Sequence, residues 1–158
     1  MIRTEHLTKH YKNVVALDDL TLDIPEGKVF GFIGPNGAGK TTTIRILCGL
    51  MRATRGEAWI GDLPVSKNPA RVREHIGYMP DDFGVYEGMR VWEYLDFFGA
   101  AYKIPRSDRK ARIDFALEIV EASHMRDFFV DSLSKGMRQK VGLAKTQIGR
   151  ASCRERVC

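Results

Sequence analysis

The first 24 residues alternate apolar and polar side chains around short turns, most clearly at Leu20, Leu22 and Ile24. A period of two places every second side chain on the same face of an extended chain. This pattern is typical of antiparallel strands with one face in solvent and the other on a core. The N-terminal segment therefore predicts an antiparallel β subdomain.

The pattern changes twice over the next residues. Residues 28–33 are nearly continuously apolar after a Pro-Glu-Gly turn, which predicts a parallel strand buried on both faces. From Lys40 onward the apolar residues follow helical spacing, which predicts a helix directly after a glycine-rich loop. Residues 56–61 and 76–79 predict two further short strands.

After Pro80 the periodicity is helical. Val91, Leu95, Phe98 and Tyr102 fall on one helical face. Residues 105–107 break this helix and precede a second one, and a third helix is predicted to start at Ser134. The chain thus predicts a β-rich first half followed by a helical insertion.

Composition and charge exclude several classes of protein. The 158 residues are 44% hydrophobic and 28% charged, as in an ordinary folded domain. No apolar run approaches the roughly 18 residues that a membrane-spanning helix needs, and the N-terminus is polar. We therefore expect a folded cytosolic domain. The net charge of +5 falls to +3 without residues 147–158, which hold three arginines and one glutamate, so the charge gives no strong argument for a nucleic acid or anionic lipid partner.

Residues 147–158 stand apart from the rest of the chain. They contain three of the arginines and two of the three cysteines, Cys153 and Cys158. Residues 148–157 resemble the translation of a common short-read sequencing adapter. We expect a gene fragment cut near residue 146 with a non-native tail, the alternative being a genuine basic extension. Without this tail Cys48 stands alone, which fits a reducing compartment.

Residues 34–41 match the phosphate-binding pattern G-x-x-x-x-G-K-[ST]. Several amides must converge on a phosphate chain, so the backbone needs the unusual dihedrals that glycine permits. The dipole of the following helix favours the same anion. We expect Lys40 to reach the β- and γ-phosphates and the Thr41 hydroxyl to bind Mg²⁺. The predicted nucleotide-binding residues of this loop are Gly34, Pro35, Asn36, Gly37, Ala38, Gly39, Lys40, Thr41 and Thr42.

From Leu7 to about Thr146 the chain resembles an ATP-binding-cassette (ABC) nucleotide-binding domain. The resemblance implies an α/β P-loop NTPase fold with a RecA-like core and an N-terminal antiparallel β subdomain. It also implies a helical subdomain over about residues 85–135, within a partial domain of residues 1–146 that is incomplete at the C-terminus. Tyr11 occupies the place of the aromatic residue that stacks on adenine in this family. The alternative is an ordinary strand tyrosine packing on the sheet.

The segment Leu133-Ser134-Lys135-Gly136-Met137 resembles the family signature Leu-Ser-Gly-Gly-Gln. In the family this helix end faces the γ-phosphate bound by the opposite subunit, which implies a head-to-tail dimer around two ATP molecules. Lys135 and Met137 depart from the pattern. The alternative is a simple helix capped by Ser134.

A second departure follows Pro80, where Asp81 replaces the usual glutamine. Asp81 either supplies an oxygen to Mg²⁺ or caps a helix. The adjacent residues 83–87 would then touch a transmembrane partner, or they form a solvated loop.

The family's remaining catalytic parts follow the signature helix: an acidic Mg²⁺ ligand, a glutamate that activates water and a histidine that senses the γ-phosphate. No Leu-Leu-Asp-Glu-like segment occurs in the sequence. We therefore expect the chain as given to hydrolyse ATP poorly, and we assign no catalytic residue. The strand expected beside residues 28–33 is also missing, which predicts an exposed apolar edge and low solubility.

The resemblance implies the ATPase subunit of an ABC transporter, most like exporters whose ATPase and membrane parts are separate chains (the ABC-2 type). Its cofactors would be ATP and Mg²⁺, and its partners a second nucleotide-binding domain and a transmembrane permease subunit. It would lie at the cytoplasmic face of the membrane. Two alternatives stay open: another P-loop phosphoryl-transfer enzyme, such as a small-molecule kinase, and a non-catalytic truncated module that binds ATP and regulates a partner.

Overall fold

The computed structural model describes residues 1–80, 84 and 86–149. The chain divides into two compact units, Met1–Ile76 and Gly77–Cys158. The first unit contains the strands β1 (Ile2–Tyr11), β2 (Val14–Ile24), β3 (Arg55–Ile60) and β4 (Leu63–Pro64), with the helices α1 (Lys40–Leu47) and α2 (Pro69–His75). The second contains α3 (Val91–Ala101), α4 (Arg106–Ile119) and α5 (Lys135–Ile148), with short 3₁₀ turns at Ser123–Met125 and Val130–Ser132.

The first unit is built on a four-stranded antiparallel sheet in the order β2-β1-β3-β4. Ile2 pairs with Ile24 on one side and with Ile60 on the other, so β1 is a central strand. This confirms the antiparallel subdomain that the alternating pattern predicts. Its buried core joins the sheet to both helices and consists of Leu7, Leu17, Ile46, Ala58, Val65 and Val72.

The predicted parallel strand over residues 28–33 is absent, and that prediction is wrong: the segment is extended chain outside any sheet. Ile33 is 95% exposed, Val29 is fully exposed and Phe30 is half-exposed. A strand buried on both faces exists only when neighbouring strands and covering layers surround it, and no described strand pairs with these residues. Apolar side chains are exposed in this segment, as predicted, but they belong to no sheet edge. Residues 76–79 likewise form no strand.

The second unit is a helical cluster around fully buried side chains of all three helices, including Tyr94, Leu117 and Val141. The predicted stripe on α3 is confirmed at Val91 and Leu95, which are both buried, whereas Phe98 is half-buried and Tyr102 is exposed just after the helix. The predicted last helix begins at Lys135 with Ser134 as its N-cap. None of the described helices is both long and apolar enough to cross a bilayer.

The sequence pattern missed α2. This helix has seven residues, starts with Pro69 after the N-cap residue Asn68, and buries only Val72. One buried residue leaves no periodicity to detect, although proline at the first helical position is a recognised start signal.

The exposed apolar residues of the 28–33 segment give a testable prediction. The double substitution Val29→Lys and Ile33→Lys removes no buried contact, so we expect the thermal midpoint of unfolding to change little and aggregation to fall, measured by calorimetry and light scattering. The matched control is Ile46→Lys, which places the same charge at a side chain only 2% exposed and should unfold the first unit. Equal aggregation of the double variant and the wild type would contradict the prediction.

Candidate functional site

The glycine-rich loop runs directly into α1 and holds two residues in the left-handed region. Gly37 has φ +84° and Gly39 has φ +79°, a conformation that costs other residues steric strain. The Ala38 N–H donates to the Pro35 carbonyl at 3.3 Å, which closes the turn between them. The loop therefore has the tight wrap that the phosphate-binding pattern predicts.

Gly39 is also the point where the loop touches the sheet. A Cβ at this position would lie 2.5 Å from the carbonyl oxygen of Ala16 on β2, so the backbone approaches the strand too closely for any side chain. One turn later, the backbone N–H and the hydroxyl of Thr43 both donate to the Gly39 carbonyl, at 2.8 and 3.0 Å. Thr43 is buried and holds the loop to the helix. This role of Thr43 was not predicted from the sequence, in which only the helical i to i−4 spacing could have indicated it.

Lys40, at the C-terminal end of the loop, bonds back to the start of the loop. Its Nζ donates to the carbonyls of Gly34 and Pro35 at 2.5 and 2.6 Å. Lys40 is itself the first residue of α1, and the first turn of this helix contains no acidic residue. The N-terminal end of the helix dipole and the Lys40 ammonium are both positive, so the loop is suited to bind an anion with several oxygens.

Tyr11 ends β1 in the same unit as the loop. Tyr11 is 42% exposed as a residue. The hydroxyl donates to Sδ of Met51 at 2.8 Å, and Nζ of Lys9 lies 5.2 Å from the ring centroid. An aromatic ring held at its edge and open to solvent can stack on a flat ligand.

The predicted magnesium ligands are only partly within the described chain. Thr41 is exposed at the start of α1, and Thr42 beside it is half-buried. Asp81 lies outside the described residues, so its role stays a prediction. The described residues contain no group of three or more His, Cys, Asp or Glu side chains that could hold a metal ion.

The signature-like segment lies in the second unit. The Ser134 hydroxyl accepts a hydrogen bond from the Met137 N–H at 3.3 Å, which caps α5. Ser134, Lys135 and Gly136 are exposed, whereas the Met137 side chain is half-buried and packs on the helical core. The Met137 side chain therefore belongs in part to the helical core. No described atom lies within 4 Å of the position a Cβ would take at Gly136.

Cys48 directly follows α1 as its C-cap residue, and its side chain is buried. Burial raises the pKa of its thiol above the usual value. Because the thiolate is the nucleophile, this thiol is poorly suited to covalent chemistry near neutral pH.

Comparison with known proteins identifies the family to which the chain belongs. A family model described as ABC transporter matches residues 17–153. The chain belongs to the ABC transporter family, and its fold is the α/β P-loop NTPase fold of the ATP-binding domains.

Curated relatives and solved structures agree with this assignment. An uncharacterized ABC transporter ATP-binding protein, YhcH of Bacillus subtilis (strain 168), is 35% identical over 92% of this chain and 47% of its own length. The bacitracin transport ATP-binding protein BcrA of Bacillus licheniformis is 37% identical over 92% of this chain and 46% of its own length. A solved ATP binding subunit of an ABC transporter superposes with a TM-score of 0.76 at 29% identity, over 92% of this chain and 60% of that one. The chain spans about half the length of these curated relatives.

The two left-handed glycines of the loop give matched variants. Gly39→Ala brings a Cβ against the Ala16 carbonyl and should destabilise the first unit by about 2 kcal/mol or more. Gly37→Ala meets no described atom within 4 Å and should cost only about 1 kcal/mol for its positive φ. Urea unfolding measures both values. Equal losses in the two variants would contradict the close approach of β2 to the loop.

Proposed function

We propose that this chain functions as part of the ATP-binding subunit of an ABC transporter and that it binds ATP in the first unit. The observation that carries the proposal is the Lys40 ammonium, held by two loop carbonyls at the acid-free start of α1. The relatives named above as ATP-binding proteins support ATP as the ligand. The nucleotide would take its place along residues 34–42, with the phosphates toward the loop amides.

Each residue of the proposed site has a distinct part. The Lys40 ammonium exchanges the Gly34 and Pro35 carbonyls for β- and γ-phosphate oxygens, a stronger charge-assisted interaction. The exposed Thr41 hydroxyl is placed to ligate Mg²⁺, whose chemistry is to neutralise phosphate charge. The open face of Tyr11 stacks on adenine. None of the residues of this proposed site is assigned to hydrolysis, because the sequence of this chain contains no Asp-Glu pair after an apolar strand.

The second unit is proposed to act on the nucleotide of a partner domain. Glycine in a helix costs about 1 kcal/mol relative to alanine, and the open space around Gly136 gives no reason within the described chain for that cost. Close approach of an external group explains it. The exposed and capped N-terminus of α5 favours an anion, which fits the γ-phosphate of a nucleotide held by a second nucleotide-binding domain.

The proposed assembly is an exporter. Two such subunits would work with transmembrane permease subunits and lie peripherally at the cytoplasmic face of the membrane. The name of BcrA, a bacitracin transport ATP-binding protein, supports a transport role of this kind. ATP binding would close the pair of domains, and that motion would pass to the permease.

The loop lysine is tested by its removal. Lys40→Met should lower the affinity for both ATP and inorganic tripolyphosphate about tenfold to a hundredfold, because a charge-assisted contact is lost from each complex. Isothermal titration calorimetry on the 158-residue chain measures both affinities. The control is Lys67→Met, an exposed lysine of the same unit away from the loop, which should bind as the wild type does. ATP binding that survives Lys40→Met would refute the proposed site.

The role of α5 is tested by charge at its start. Gly136→Glu fits the open space, so we expect unchanged stability and unchanged ATP affinity but loss of the ATP-dependent dimer in sedimentation velocity. Gln139→Glu adds the same charge at an exposed position further along α5 and should leave the dimer intact. A wild-type chain that stays monomeric with ATP, or a Gly136→Glu variant that dimerises normally, would contradict the proposal.

A further inference from the structure

We infer that Met51 and Lys9 are positioning residues, which fix the ring of Tyr11 so that one of its faces is presented to the base of the nucleotide. The inference rests on the proposed function, since it assumes that Tyr11 stacks on adenine. Neither residue belongs to the phosphate-binding loop or to the signature-like segment. Both are identified by their contacts with the tyrosine ring in the first unit.

The first contact fixes the edge of the ring. The Tyr11 hydroxyl donates to Sδ of Met51 at 2.8 Å. A thioether is a weak acceptor. The hydroxyl, however, is at the far end of the ring, so even a weak hydrogen bond there restricts the orientation of the whole ring. Met51 is half-buried and packs against the core of the first unit, so the acceptor itself has a fixed place.

The second contact occupies one face of the ring. Nζ of Lys9 lies 5.2 Å from the ring centroid, within the range of a cation–π interaction. The same ammonium donates to the Arg52 carbonyl at 2.8 Å, which anchors it. Lys9 and Tyr11 stand two residues apart on β1 and so share a side of the strand. A planar base therefore has the opposite face of the ring available to it.

The two anchors come from the segment that follows the phosphate-binding helix. After α1 ends, the Leu50 N–H donates to the Arg45 carbonyl, and the next two residues supply the Met51 sulfur and the Arg52 carbonyl. The Thr54 N–H then donates to the Thr8 carbonyl of β1 at 2.8 Å. The helix that begins at the phosphate loop is thus followed directly by the residues that fix the ring. One continuous segment of chain therefore contributes to both the phosphate end and the base end of the proposed site.

A comparison of ATP with tripolyphosphate isolates the base. Met51→Leu keeps the side-chain volume and removes the acceptor, and Tyr11→Phe removes the donor. Each should lower ATP affinity about threefold and leave tripolyphosphate affinity unchanged. The double variant should bind ATP no more weakly than either single variant, because both remove the same hydrogen bond.

Lys9 is tested in the same way. Lys9→Met should also lower ATP affinity alone, by about threefold. Lys12→Met is the matched control: Lys12 is an exposed lysine in the turn after Tyr11, and its replacement should change neither affinity. All affinities are measured by calorimetry on the 158-residue chain.

Each outcome separates the inference from the proposed function. If Tyr11→Ala lowers ATP affinity relative to tripolyphosphate while Met51→Leu, Tyr11→Phe and Lys9→Met do not, the positioning inference is wrong and base stacking survives. A Met51→Leu variant that loses affinity for tripolyphosphate as well has a merely structural defect, which also overturns the inference. If Tyr11→Ala leaves the ratio unchanged, or the wild-type chain binds no ATP, the proposed base site itself is wrong.

Discussion

The first unit depends on the close approach of two backbones, Gly39 at the start of α1 and the Ala16 carbonyl of β2. No side chain fits between them, so the loop must enter the helix in a left-handed conformation at this point. Thr43 fixes the helix to the same glycine from the other side. Because the sheet locates Gly39, it also locates the helix start, where free amides and the dipole favour an anion. The chemistry of the loop is therefore a consequence of sheet packing.

The contacts that fix the loop are made by the residues on its C-terminal side. The residues before it, 28–33, pair with no described strand, whereas the residues after it are held by α1, by β2 and by the return of the chain to β1. Lys40 stabilises the start of the loop in place of strand pairing, since its ammonium joins the carbonyls of Gly34 and Pro35 to the helix. The same cation would be drawn away by phosphate oxygens, so the contact that closes the empty loop is also the one that ligand binding replaces. Buried apolar neighbours beside residues 28–33 would supply the support that is missing on that side.

The elements that depend on interactions between neighbouring residues were predicted correctly from local sequence patterns. The alternation over residues 2–24 and the helical spacing on α3 and α5 are properties of neighbouring residues, and those elements are confirmed. The parallel strand failed as a prediction because its existence depends on partners far along the chain. The contact of Tyr11 with Met51 joins residues 40 positions apart, and no periodicity relates them. The motif could thus be predicted from the sequence, but the residues that orient its aromatic partner could not.

The two units contribute opposite halves of the proposed chemistry. The first supplies a cation, converging amides and an aromatic ring, while the second supplies an exposed helix start whose cap bond leaves Lys135 and Gly136 facing solvent. In the proposed head-to-tail pair, the helix end of each copy would complete the nucleotide site of the other copy. Met137 packs on the helical core and Arg138 donates to the carbonyls of Leu133 and Asp131, so Lys135 is the exposed charged side chain in the first turn of α5. In the proposed dimer that charge adds to the helix dipole, and both favour the same phosphate.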